Sequence, residues 1–196
     1  EAAFGPALNS VAIAQAVIER GQRAVFISDP GFLEVYRGYG FEAYPVNLSA
    51  PLPPKQMAKF WEDFINGHIP NFYKSPYEQI DTYVKDCWAA IVDSARYAQR
   101  DLPQVLAKVD PDLICVDNVI LFPAIKQHGA PWVRIVSCSE NEIEDPAIPP
   151  HLSGCGARDH ACHARFRERF NAVIGPLHAT FNEFLVSQGE HPYPLG

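Results

Sequence analysis

The 196-residue sequence predicts an α/β fold, a Rossmann-like doubly wound parallel sheet with helices on both faces. Three observations carry that expectation. Short, nearly continuous apolar runs recur at "RAVFIS" (23–28), "PDLICVDN" (111–118) and "PWVRIVSCS" (131–139), as strands covered on both faces require. The segments between them carry apolar residues at three-four spacing, the period of a helix. Strands that alternate with helices in this way imply right-handed crossovers between parallel neighbours.

The elements follow in order. "AAFGPALNSVAIAQAVIERGQ" (2–22) opens as a loop and becomes a helix capped by Asn9 or Ser10, with an apolar face of Val11, Ala14, Val17 and Ile18, a polar face of Gln15, Glu19 and Gln22, and a stop at Gly21. "PGFLEVYRGYG" (30–40) reads as a short helix ending in glycine, and "FEAYPV" (41–46) as a strand closed by Pro45. Residues 47–74, rich in proline and aromatics, form an excursion from the sheet around the amphipathic piece "PKQMAKFWEDFI" (54–65). Ser75, Pro76 and Glu78 spell a capping box with proline at the first helical position. Behind it Ile80, Tyr83, Val84, Cys87, Trp88, Ile91, Val92 and Ala95 keep helical spacing for over four turns, and Pro103 is expected to start a new helix. "VILFPAIKQHG" (119–129) reads as a helix ended by Gly129. After a loop through residues 144–156, Phe166, Phe170, Val173, Ile174, Leu177, Phe181 and Phe184 mark a long helix interrupted near Gly175 and Pro176.

Composition narrows the partners. A chain of this length, 47% hydrophobic, can build one domain with a substantial core, expected over residues 1–196. A formal charge of −7, with both signs interspersed, argues against nucleic acid or an anionic membrane surface, since neither would meet a basic patch. No apolar run approaches the roughly 20 residues that span a bilayer, and the first residues lack the pattern of a signal peptide. The five cysteines are odd in number, and Cys87 and Cys115 sit in apolar periodic segments, so a reducing cytoplasm is expected.

In doubly wound sheets ligands bind beyond the carboxyl ends of the strands. Four segments belong there: the opening loop and residues 28–31, 117–122 and 137–142. The opening loop needs a strand before it, of which residues 1–4 supply only a stub, so the natural chain is expected to begin earlier.

"FGPALNSVAIAQAVIERGQRAVFIS", followed by "GFLEVYRGYGFEAYPV", resembles the amino-terminal, acceptor-binding half of nucleotide-sugar (UDP-) glycosyltransferases of the two-domain GT-B fold. In that family a first strand enters a loop of form G-H-x-N-P/S, then a helix ending "RGH"; here Asn9-Ser10 and Arg20-Gly21-Gln22 fit. "DPDLICVDNVILFPAIKQHGAPWVRIVS" (110–137) resembles the family's D-x-x-x-x-D strand and the segment after it. The resemblance implies transfer of a sugar to the hydroxyl of a small lipophilic acceptor. A loop histidine takes the acceptor proton and an aspartate, matched by Asp117, orients that histidine. The histidine's place holds Ala7, or Pro6 if the gap is moved, and neither accepts a proton. The resemblance further implies a carboxyl-terminal domain, absent from this sequence, that binds the nucleotide-sugar co-substrate; no other cofactor is expected. By itself the chain is expected not to turn over. A non-catalytic binding module of the same fold is the competing reading.

Asp117 is the candidate catalytic residue, with the alternative that it caps a helix beginning near Asn118. Phe4, Trp61 and Phe122 suit the apolar wall of an acceptor site, and Asn9, Ser137, Ser139 and Glu140 its polar contacts; core packing, helix capping or a solvated turn would explain the same residues. His151, Cys155, His160, Cys162 and His163 crowd together without the paired spacing of a zinc site, so no metal is expected there and His163 should face solvent. Glu140, Glu142, Glu144 and Asp145 read as a solvated loop. No G-x-S-x-G elbow supports a hydrolase.

Overall fold

A computed structural model describes residues 4–51, 53–137, 145 and 147–195. It is a mixed α/β structure in which helix predominates. The chain divides into two compact units, one built from residues 1–50 and 93–140 and the other from residues 51–92 and 141–196.

The first unit holds the strands. Helix α1 (Phe4–Ile18) leads through Gly21, whose φ of +77° suits glycine, into strand β1 (Val25–Ser28). A 3₁₀ turn (Pro30–Phe32) and helix α2 (Leu33–Gly38) then cross over to strand β2 (Glu42–Pro45), parallel to β1 with Val25 opposite Glu42. Ala7, Val11 and Ala14 of α1 are buried with Phe32, Leu33, Tyr36, Phe41 and Ala43. Phe26 stacks on Tyr36 at 4.0 Å and meets Phe41 edge-on at 5.1 Å, so strand and crossover share one aromatic core. Strand β3 (Ile114–Val116) pairs in parallel with β4 (Trp132–Arg134) across helix α6 (Pro123–His128), which ends at Gly129 in the left-handed region. Among the described residues the strands thus form two separate two-stranded parallel sheets, where one doubly wound sheet was expected. Each strand is shorter than its apolar run, and β4 is exposed along its length.

The second unit is helical. Helix α3 (Pro54–His68) occupies the proline-rich excursion. Ser75 caps helix α4 (Pro76–Gln79) with the full reciprocal box: its hydroxyl accepts from the Glu78 amide while the Glu78 carboxylate accepts from the Ser75 amide at 3.0 Å. One π turn (Ile80–Val84) runs straight on into helix α5 (Lys85–Val109), whose residues from Asp93 onward belong to the first unit. Helix α7 (His160–Ser187) buries Phe166, Ile174, Phe181 and Leu185. Asp81 and Arg169 form a two-point ion pair, with a shorter contact of 2.5 Å.

Several expectations are corrected. The opening segment is helix from Phe4 onward, so Asn9 and Ser10 are interior helical residues rather than caps; Pro6 fits because a first-turn amide has no helical acceptor to lose. Pro103 lies inside α5 and Pro176 inside α7. An interior proline costs about 3 kcal/mol, but burial of Ala95, Ala98, Leu102 and Leu106 on one side of α5, and of Ile174, Phe181 and Leu185 on α7, outweighs it. His163 is buried at 2% exposure, not solvent-facing. A disulfide joins Cys155 to Cys162, Asp159 caps α7 by accepting from the Cys162 amide, and the loop so folded brings the Gly156 carbonyl to 2.9 Å from His163 Nε2. That disulfide accounts for two of the five cysteines. It also removes both sulfurs from any ligand set, and no metal-holding group of three His, Cys, Asp or Glu occurs among the described residues. Cys87 and Cys115 are free thiols. No described helix is long and apolar enough to cross a membrane.

Candidate functional site

Parallel strands present their carboxyl ends on one side, and in the first unit those ends carry Ser28 as the last residue of β1, Asp117 after β3 and Ser137 beyond β4. Backbone bonds continue both ladders past the strands, from the Val46 amide to the Ser28 carbonyl and from the Ile135 amide to the Val116 carbonyl, each within 2.9 Å. Asp117 is thereby held one residue beyond a paired position. Helix α6 begins only at Pro123, with Phe122 at its N-cap, so Asp117 does not cap a helix starting near Asn118.

The Asp117 side chain instead gathers hydroxyls. Its Oδ2 accepts from Ser137 Oγ at 2.6 Å and from Ser10 Oγ at 3.0 Å, and both bonds are partly buried. Ser10 stands one turn beyond Pro6 and Ala7 on α1, and both of those are buried, Ala7 at 1% exposure. The helix therefore turns a serine hydroxyl toward the carboxylate. Tyr36 completes the cluster: its phenol, 4% exposed, is hydrogen-bonded with Ser28. Burial pushes its pKa above the usual tyrosine value, the Ser28 bond pulls it down, and the Asp117 charge raises it further. Asp117 thus accepts from two serine hydroxyls with the Tyr36 phenol within reach of its charge, an arrangement suited to hydroxyl groups.

No protein-family model matches the chain, and no curated protein matches it. A solved structure described as the glycosyltransferase VinC in complex with dTDP is similar, with a TM-score of 0.49 and 18% identity, over 96% of this chain. The alignment covers 42% of that protein, so the chain spans less than half its length.

The remaining candidates divide. Ser137 joins the carboxylate. Asn9 is exposed on α1 and contributes nothing to the cluster. Phe122 is packed in the core at 8% exposure. Phe4 and Trp61 are described by their backbones only, on α1 and α3, and Trp61 belongs to the other unit. Ser139 and Glu140 lie outside the described residues. Two members escaped the sequence reading, Ser10 in any role but a cap and Tyr36 altogether. Ser10 could have been found by asking which residue one turn after the missing histidine still carries a hydrogen-bonding group. Tyr36 carries no such local signal, because its spacing is that of an ordinary core residue.

Proposed function

We propose that this chain is the acceptor-binding part of a nucleotide-sugar glycosyltransferase and binds the hydroxyl of a small lipophilic molecule. The observation that carries the reading is Asp117, which sits at the carboxyl end of a parallel strand, caps no helix, and accepts hydroxyls from two different elements. The sequence resemblance supplies the chemistry: the acceptor oxygen attacks the anomeric carbon, the bond to the nucleoside diphosphate breaks, and the hydroxyl proton passes to a base. Asp117 and Ser10 would orient the acceptor hydroxyl. A UDP-sugar donor, held mainly by a second domain, completes the reaction in this reading.

One observation favours a second reading, a non-catalytic binding module. At the place of the histidine the chain buries Pro6 and Ala7, and the Asp117 partner from that helix is Ser10. Calorimetric titration of the chain with paired lipophilic alcohols and their methyl ethers separates the readings. An acceptor site binds the free alcohol at least about tenfold more tightly than its ether, and Asp117→Ala abolishes that preference. Equal binding of alcohol and ether would favour the module, and no binding of either by the folded chain would overturn both.

A further inference from the structure

The Asp117 cluster leaves one chemical role open, that of the group which takes the acceptor proton. In the place that the sequence resemblance gives to a histidine, α1 buries Pro6 and Ala7, and neither side chain can accept a proton. Residues three or four positions apart on a helix share a face. Three positions after Ala7 that face carries Ser10, whose hydroxyl donates to Asp117 Oδ2 at 3.0 Å. Helix α1 therefore still directs a hydrogen-bonding group at the carboxylate, from one turn further along.

A serine hydroxyl carries one proton and two lone pairs. Ser10 uses its proton on Asp117, and no described residue donates to its oxygen. Ser10 and Asp117 are both half-buried rather than sealed, so a ligand hydroxyl can approach them from solvent. The two serines on Asp117 also differ: Ser137 is drawn in to 2.6 Å, while Ser10 keeps the longer bond. We propose that Ser10 is the proton relay of this site, taking the proton of the acceptor hydroxyl at Oγ while passing its own to Asp117 Oδ2. The proposal rests on the acceptor-binding reading above. In the transfer step an acceptor lone pair forms the bond to the anomeric carbon, and the electrons of the breaking sugar–phosphate bond leave with the nucleoside diphosphate. The acceptor proton moves to Ser10 Oγ as the Ser10 proton moves to Asp117, so the serine ends neutral and the carboxylate ends protonated. The two tasks of the histidine, contact with the acceptor and storage of its proton, are thereby divided between Ser10 and Asp117.

The test is calorimetric titration of the 196-residue chain with 2-naphthol and with 2-methoxynaphthalene, the methyl ether that cannot donate. The unaltered chain should bind the alcohol at least about tenfold more tightly than the ether. That preference should vanish in Ser10→Ala and persist in Ser10→Thr, which keeps the hydroxyl. A preference that survives in Ser10→Ala but is lost in Asp117→Ala would overturn the relay and leave the acceptor-binding reading standing, with the alcohol seated directly on the carboxylate. Equal binding of alcohol and ether by the unaltered chain, or binding of neither, would overturn that reading and the relay with it. A second measurement needs no variant: in the isotope-labelled chain the Ser10 Cβ signal should move as 2-naphthol saturates. Bound alcohol that leaves this signal in place would overturn the relay even if the variants do not fold.

Discussion

Ser137 and Asp117 stand 20 residues apart in sequence, and their side chains meet at 2.6 Å, the Ser137 hydroxyl donating to Asp117 Oδ2. The same oxygen accepts from Ser10, 107 residues away, so one atom ties the first helix to the ends of the last two strands. Sharing makes the two bonds interdependent. Asp117→Ala leaves two partly buried hydroxyls without this acceptor and is expected to cost about 1–3 kcal/mol. Ser10→Ala and Ser137→Ala should each cost about 1 kcal/mol and combine non-additively. Urea unfolding of the three variants and the double variant measures this; strict additivity would mean the hydroxyls bind independently.

Tyr36 reports the charge on Asp117. Its pKa is raised by burial first and by the Asp117 carboxylate in addition, against the Ser28 bond. A phenol with a folded pKa above its unfolded value binds more protons folded than unfolded between the two. Its stabilising contribution is therefore complete below the usual tyrosine pKa of about 10 and is lost as pH rises through the folded value. Tyr44 and Tyr83 are also raised, by the Glu42 bond and by burial respectively, so ultraviolet titration should show a late-ionising group of tyrosines that loses one member in Tyr36→Phe, which identifies the Tyr36 signal. In Asp117→Asn it should ionise at lower pH than in the unaltered chain; an unchanged titration would separate Tyr36 from the cluster.

Pro176 interrupts the amide ladder of α7 from an exposed position, where an alanine would restore a donor to the Ala172 carbonyl. Replacement is expected to stabilise the chain by about 1–2 kcal/mol, less than the full cost of an interior proline because proline also restrains the unfolded chain. Thermal unfolding of Pro176→Ala should show a raised midpoint. A lowered one would mean that the proline ring is packed as well as tolerated.

The disulfide between Cys155 and Cys162, seven positions apart, closes a short loop over the buried His163. Cys162→Ser should cost about 2 kcal/mol by releasing that loop in the unfolded state. It should also weaken the contact between His163 Nε2 and the Gly156 carbonyl. Mass spectrometry of the unreduced chain, digested between the two cysteines, checks the bond itself, and the His163 ring signals report the contact.

Local chemistry determined much of this protein. The capping box at Ser75 and Glu78, the stop at Gly129 and the glycine turn at Gly21 lie within one turn of the atoms they bond, so neighbouring residue types suffice to read them. The parallel pairing of β1 with β2 and of β3 with β4 likewise follows from strand, helix and strand in succession. Asp117 was legible as a polar residue at a strand end, where α/β folds bind ligands.

Tertiary structure alone decided the rest, because the deciding energies come from residues distant in sequence. Whether α5 and α7 continue through Pro103 and Pro176 depends on how much apolar surface their far turns bury, and no local rule counts that surface. His163 and Phe122 are buried, and Asn9 exposed, because of what packs beside them. The hydroxyls of Ser10 and Ser137 find Asp117 only after two crossovers have brought three chain segments together, and their convergence on one carboxylate is a property of the fold.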